Sequence, residues 1–237
     1  MKKSITIIMT HPDDFERMMG GTAYLLSKKY KVHIICVCKG QRGIPPGEKG
    51  GIWKGGKRSV SLETAAVREQ ESRNAAEMIN ADITFLDLID GDIFADCASC
   101  EKVALLLKKQ NPIAIFAHSP LEKNDHGACS QIAWQGTQLS GLFWDVEYYM
   151  FFDQQFNCFN PDIYVNITDV IEIKRKLMQC HKSQLTESDI EEQINLNKSI
   201  GVAAWCDYSE GFLSGKALVN QRWNNKKAMT GSVLLNL

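Results

Sequence analysis

The sequence contains no hydrophobic run of the roughly 20 residues that a membrane-spanning helix needs. It also has no excess of either charge: 27 Lys and Arg stand against 28 Asp and Glu, for a formal net charge of −1. The first absence argues against a membrane span. The second removes any overall pull toward nucleic acid or an anionic membrane surface, so no nucleic-acid partner is expected. An export signature is missing too. Met1-Lys2-Lys3 leads into a short apolar stretch from Ile5 to Met9, but His11-Pro12-Asp13-Asp14 follows at once. A signal-peptide core needs about 7–15 apolar residues and a small-residue cleavage site. The expected compartment is the cytoplasm, where the eight Cys read as reduced thiols rather than a disulfide framework. There is no internal repeat and no low-complexity tail.

What is present is ordinary globular composition over 237 residues, 44% hydrophobic and 23% charged, enough for a sizeable core. Ser4 to Thr10 is short, apolar and β-branched, and reads as a buried strand. Phe15, Met18, Met19, Thr22, Leu25 and Leu26 then recur at helical spacing. Lys31 to Cys38 reads as a second strand, and strand–helix–strand over this length is a βαβ unit with parallel strands. Gly40 to Ser61 is a long loop rich in Gly, Lys and Arg. Further elements follow: a helix from Leu62 to Asn80, a strand from Ile83 to Leu88, a helix from Glu101 to Lys109, a strand from Ile113 to Ala117, and a helix from about Gly127. Asp145 to Phe152 and Asp162 to Ile167 supply more strands. Thr168 to Lys182 and Glu187 to Cys206 read as helices with Thr168 and Thr186 as N-caps. The alternation predicts a single α/β domain over residues 1–237, with a Rossmann-like, doubly wound, mostly parallel sheet. Such sheets bind ligands beyond the carboxyl ends of their strands.

Two polar clusters follow strands at that edge. In the first, His11 and Asp14 are three apart in a tight turn, stiffened by Pro12, and can converge on one ion. Imidazole nitrogen and carboxylate oxygen are good zinc ligands. Asp13 lies between them, placed to take a proton from activated water. The alternative is that Asp13 and Asp14 simply favour the positive end of the helix that begins at Phe15. The second cluster runs from His118 to His126. His126 would complete a His/Asp/His set, leaving a fourth position for water as catalytic zinc sites do. Asp125 is placed to orient a neighbour through a hydrogen bond, or to act as an N-cap of the following helix. Fe(II) or Co(II) would compete for such ligands.

Taken together and in order, these clusters resemble the LmbE/PIG-L family of zinc-dependent N-deacetylases. His11 to Asp14 match its His-Pro-Asp-Asp signature and Asp125-His126 its late Asp-His. The Cys38 to Gly43 segment resembles its Gly-Glu-x-Gly, Arg68-x-x-Glu71 its Arg-x-x-Glu helix, and Asp90-Gly91 its Asp-Gly. His181-Lys-Ser183-Gln184 and Tyr208-Ser-Glu210-Gly-Phe212 resemble its two C-terminal motifs. The resemblance implies that His11, Asp14 and His126 hold zinc, that Asp13 is the general base, and that Gln41, Arg68 and Asp90 hold a sugar. Gln41 stands where the family usually has Glu. The implied reaction removes acetate from an N-acetylglucosamine unit or its conjugate. The family includes monomers and higher oligomers, so a homo-oligomer stays open. In one departure, Lys123 occupies the place of the family's His three residues before the last zinc ligand. Lys123 or His118 is then the partner of the oxyanion.

Weaker signals compete. Gly51 to Lys57 nearly matches a phosphate loop, but Arg58 stands where Ser or Thr should bind magnesium. That leaves a nucleotide-binding module as a distant reading, and a lid with Trp53 against a sugar as another. Cys97-Ala-Ser-Cys100 is a lone CxxC at a helix start. Asp207 to Gly211 lacks the first Gly of a nucleophile elbow. His181 reads as a packed, hydrogen-bonded side chain, and Trp134, Phe143 and Trp144 as core. A metal-dependent amidohydrolase acting on a non-sugar acylated amine is the main alternative function.

Overall fold

The computed structural model describes residues 2–44, 59–152, 160–215 and 233–234. The chain alternates strand and helix through β1 (Ser4–Met9), α1 (Asp14–Lys29), β2 (Lys31–Cys38), α2 (Leu62–Met78), β3 (Asp82–Leu88), α3 (Cys97–Gln110), β4 (Pro112–His118), α4 (Asn124–Leu139) and β5 (Glu147–Phe151). It continues with β6 (Ile163–Asn166), a 3-10 turn (Thr168–Val170), α5 (Ile171–Met178), α6 (Glu187–Ala204) and β7 (Ser209–Ser214). Seven strands form one sheet in the order β3-β2-β1-β4-β5-β7-β6. The first five pair in parallel, and β7 runs antiparallel to both β5 and β6.

Parallel strands need both faces covered, which is why β1 is buried at every position and reads as an unbroken apolar run. Successive side chains serve opposite layers. Ile5, Ile7 and Met9 join Phe15, Ala75 and Leu177 on the face covered by α1, α2 and α5. Ile8 joins Val103, Leu107 and Ile132 on the face covered by α3 and α4. Each fully buried side chain of this size stabilises by roughly 1.5–3 kcal/mol relative to exposure.

Helix α1 is broken at Met19 (φ −144°, ψ 22°). The break costs helical hydrogen bonds, and Glu210 of β7 restores the balance by accepting from the backbone N–H of Gly21 and Thr22 at 3.0 and 2.7 Å. Lys174 of α5 closes on the same carboxylate at 2.5 Å, with both side chains fully buried. A side chain at Gly21 would place its Cβ 2.8 Å from Ile167, so α1 packs this closely only with glycine there.

The expected elements are present with shifted ends and some corrections. β7 is a correction: Ser209-Glu210-Gly211 is polar and small and gives no strand pattern, and the strand is buried by its place between β5 and β6, by Phe212 in the core and by the contacts of Glu210. The expected helix from Thr168 divides into the 3-10 turn and α5. Thr168 is not its N-cap; its hydroxyl accepts from Tyr208 N–H instead. Thr186 does cap α6, in a reciprocal capping box with Asp189. α3 begins four residues early at Cys97, capped by Asp96. The CxxC therefore falls in its first turn, with Cys97 exposed and Cys100 buried, and the seven described Cys are all free thiols. Trp134 is partly buried against Phe143 and Tyr148, but Trp144 is 70% exposed and not core, because it follows the turn that ends α4 rather than a helix face. Among the described residues no helix is long and apolar enough to cross a membrane.

Candidate metal centre and active site

β1 and β4 are adjacent and parallel, with Ile8 beside Ala117, so the segments leaving them emerge together at the carboxyl edge. The strand order reverses here, since β1 has β2 on one side and β4 on the other. This is the place where doubly wound sheets form crevices. The turn after β1 delivers His11 and Asp14, and the loop after β4 delivers His126 in the first turn of α4.

Three side chains converge, each offering one ligand atom within 4.8 Å of the others. His11 Nδ1 and His126 Nε2 lie 3.2 Å apart. His126 Nε2 is 3.5 Å from Asp14 Oδ1, and His11 Nδ1 is 3.8 Å from Asp14 Oδ2. Tetrahedral zinc with bonds of about 2.0–2.1 Å has ligand atoms about 3.3 Å apart. The observed spacing therefore fits a divalent ion held by these three side chains, and the donor set is one that zinc accepts. Asp14 does not cap the helix with its carboxylate. Its Oδ2 turns back to accept from the backbone N–H of Thr10 and His11 at 3.1 and 2.7 Å. Asp13 occupies the N-cap position without a side-chain capping bond and at φ 105°, a strained conformation for a non-glycine residue.

Behind the ligands lies a buried polar network. His118 stacks on His126 with ring centroids 4.3 Å apart and hydrogen-bonds Asp14 Oδ2 at 3.1 Å. Glu122 joins both imidazoles, at 3.0 Å to His118 Nδ1 and 2.5 Å to His126 Nδ1. Sequence reasoning missed Glu122. Its spacing of four from His118 and from His126 is the signal that could have found it. On the other side, His11 Nε2 faces Asp90 Oδ1 at 3.3 Å and Asp125 Oδ2 at 3.6 Å.

Charge follows this geometry. Burial pushes the Asp14 carboxyl up most strongly, but the His126 charge and the His118 and His126 hydrogen bonds outweigh it and hold Asp14 well below the carboxylate range. Burial likewise opposes ionisation of Glu122, yet the same two imidazoles bring it to about 2. His126 rises to about 10, because Asp14 and Glu122 overcome the burial that lowers it. Such a cluster draws positive charge to its centre, and a divalent ion would compete with the protons there.

The remaining sequence-named residues divide between the open and buried sides. A cavity of about 730 Å³ opens on the centre, lined by His11, Asp90, Lys123, Asp125 and His126 on its polar side and by Ile93 and Phe94 on its apolar side. Lys123 is exposed there. His118 is fully buried and does not line it. Arg68 is also buried, and its guanidinium donates to Asp13 Oδ1 at 3.1 Å and to the carbonyls of Pro12 and Gly40. Gln41 is 6% exposed and bridges strand ends, donating to Leu88 O and accepting from Asp90 N–H. Asp90 also accepts from Arg42 N–H, and Asp125 accepts from Gly91 N–H. His181 is buried and paired with Glu16 at 2.7 Å. The near phosphate loop at Gly51 to Lys57, and Trp53, lie outside the described residues.

Comparison with known proteins places this architecture. The PIG-L family model, described as GlcNAc-PI de-N-acetylase, matches residues 6–136, a span containing all ten residues singled out for the site. The 4-oxalmesaconate hydratase of Pseudomonas putida KT2440 is 24% identical over 235 residues, covering 90% of this chain and 89% of that protein. The crystal structure of the 4-carboxy-2-hydroxymuconate hydratase from the same strain superimposes with a TM-score of 0.76 at 24% identity, covering 90% of this chain and 96% of that one. The N,N'-diacetylchitobiose deacetylase of Pyrococcus horikoshii gives a TM-score of 0.75 at 22% identity, covering 96% and 88%.

Proposed function

Because the chain belongs to the PIG-L family, we propose that it is a metal-dependent hydrolase that removes the acetyl group from an N-acetylated amino sugar or its conjugate. The observation that carries this reading is the convergence of His11 Nδ1, Asp14 and His126 Nε2 at 3.2–3.8 Å from two segments more than 100 residues apart. Zinc is the proposed ion. When bound it supplies Lewis acidity, activating water and drawing charge from the amide carbonyl. Asp13, held by Arg68, accepts the proton of the attacking water as general base. Lys123 is the one Lys or Arg among the described residues lining the cavity, and its ammonium stabilises the oxyanion. His118, buried behind His126, is assigned support of the centre instead of contact with substrate. Asp90 and Asp125 hold the far nitrogen of His11. The Asp90 and Asp125 carboxylates, which line the cavity, favour an amine leaving as ammonium.

The similarity to the two hydratase descriptions supports a second reading, in which the same centre adds water to a carbon–carbon double bond. Asp90 and Asp125 line the described cavity beside Lys123 and the His11 and His126 imidazoles, a mixed-charge setting that accepts either substrate, so the choice falls to assay. Acetate release from N-acetylglucosamine and its glycosides, with and without a chelator, tests the proposal beside an absorbance assay for hydration of a muconate. Chelator-sensitive acetate release is expected. Hydration without acetate release would replace the deacetylase reading by the second one.

A further inference from the structure

The candidate ligands are not positioned independently. Glu122 lies in the loop between β4 and α4, with its side chain 1% exposed. One oxygen meets His126 Nδ1 at 2.5 Å and the other meets His118 Nδ1 at 3.0 Å. The far nitrogen of His118 meets Asp14 Oδ2 at 3.1 Å. One buried carboxylate thus reaches the candidate ligand His126 directly, and through Nδ1 it orients His118, whose Nε2 accepts from Thr10 N–H at 3.3 Å beside Asp14. Resting on the metal-hydrolase reading above, we propose that Glu122 is the positioning residue of the centre, fixing which nitrogen His126 presents and the plane of its ring.

The chemistry requires such a group. An imidazole offers Nε2 to an ion only if its proton sits on Nδ1, and a carboxylate at Nδ1 selects that tautomer and fixes the ring plane. His118 lies between Glu122 and Asp14 and stacks on His126, so the His126 ring is held at Nδ1 by Glu122 and on its face by a buried imidazole. The backbone is built to hold Glu122 there. Its N–H donates to Ser119 O at 3.2 Å. A Cβ at Gly127 would sit 2.6 Å from Glu122 O, so only glycine lets the first turn of α4 press onto this loop. A buried carboxylate without compensation is strongly destabilising. Here the compensation comes from two imidazoles that belong to the centre.

Cobalt(II) titration of the full chain, read by visible absorption and by competition with a chromophoric chelator, tests the proposal. The unmodified protein is expected to bind cobalt with a four-coordinate spectrum. Glu122→Gln keeps the shape but not the two acceptor oxygens, so it is expected to bind cobalt about 10–100-fold more weakly and with a shifted absorption band. Glu122→Asp keeps the charge but reaches only one imidazole, so its affinity should fall between the two. Should the Gln variant not fold, the Asp variant carries the comparison. A purely structural role would lower the unfolding midpoint in chelator while leaving cobalt affinity and spectrum as in the unmodified protein; that outcome overturns the proposal. Failure of the unmodified protein to bind cobalt would instead overturn the metal reading on which it rests.

Discussion

Two of the buried ionic clusters on helix α1 are built on opposite principles. At its break, Glu210 accepts from Gly21 N–H, Thr22 N–H and the Lys174 ammonium, which itself also donates to Arg17 O. Charge and hydrogen-bonding capacity close on themselves, and the cluster stays fully buried. At the helix start, Asp14 Oδ2 is held from behind by backbone N–H groups, while His126 Nε2 lies 3.5 Å from the other oxygen, Oδ1, and His11 Nδ1 lies 3.2 Å from His126 Nε2 and 3.8 Å from Oδ2. The donors converge on a point and a cavity opens beside them. A closed cluster is there for folding, whereas an open one presents lone pairs to something else. Burial alone would not separate the two.

The comparison can be broken by substitution. Asp13→Asn is expected to retain metal and to lose about 10²–10⁴-fold in turnover, as removal of a general base does. Unchanged turnover would remove Asp13 from that role. Glu210→Gln strands the Lys174 ammonium in the core and should cost about 3–5 kcal/mol in urea unfolding. Metal stoichiometry of the folded protein should not change, and loss of metal in this variant would join the two clusters into one. A third buried pair sharpens the contrast through pH. Burial raises Glu16, and although burial lowers His181, the Glu16 charge and hydrogen bond raise it above its ordinary value. Both folded values then exceed the unfolded ones, so the folded chain holds more protons. The His181 contribution is fully present below about pH 6.5 and is lost as pH rises through its folded value. With chelator present, the urea midpoint should fall from neutral to alkaline pH, and His181→Gln should flatten that slope. The smallest effect belongs to the closed capping box of α6, where Thr186→Ala should cost about 1 kcal/mol in the same assay and leave activity unchanged.

Much of this was legible in the sequence where local pattern and tertiary role agree. Ser4 to Cys38 reads as strand, helix and strand because β-branched runs and a helical apolar stripe are what a covered parallel sheet demands. His11, Asp14 and His126 were legible because they follow two strands at one sheet edge. The features missed depend on contacts with no local pattern. The strand holding Glu210 opens with polar and small residues, and it is buried by Phe212 in the core, by pairing with β5 and β6, and by the acceptor role of Glu210 at the break in α1. Gly20-Gly21 was the available hint of that break. Glu122 is one acidic residue in a turn until the fold carries it to both imidazoles. Arg68, which the family resemblance assigns to a sugar, lies buried behind Asp13, a placement that depends on where α2 packs.

The central claim is that His11, Asp14 and His126 hold a divalent ion. Zinc content of the purified protein after equilibrium dialysis tests it most directly, measured beside Asp14→Ala and His126→Ala. The account predicts about one ion per chain in the unmodified protein and substoichiometric zinc in both variants, with the fold retained by circular dichroism. Equal zinc in all three proteins, or none in the unmodified one, would contradict it.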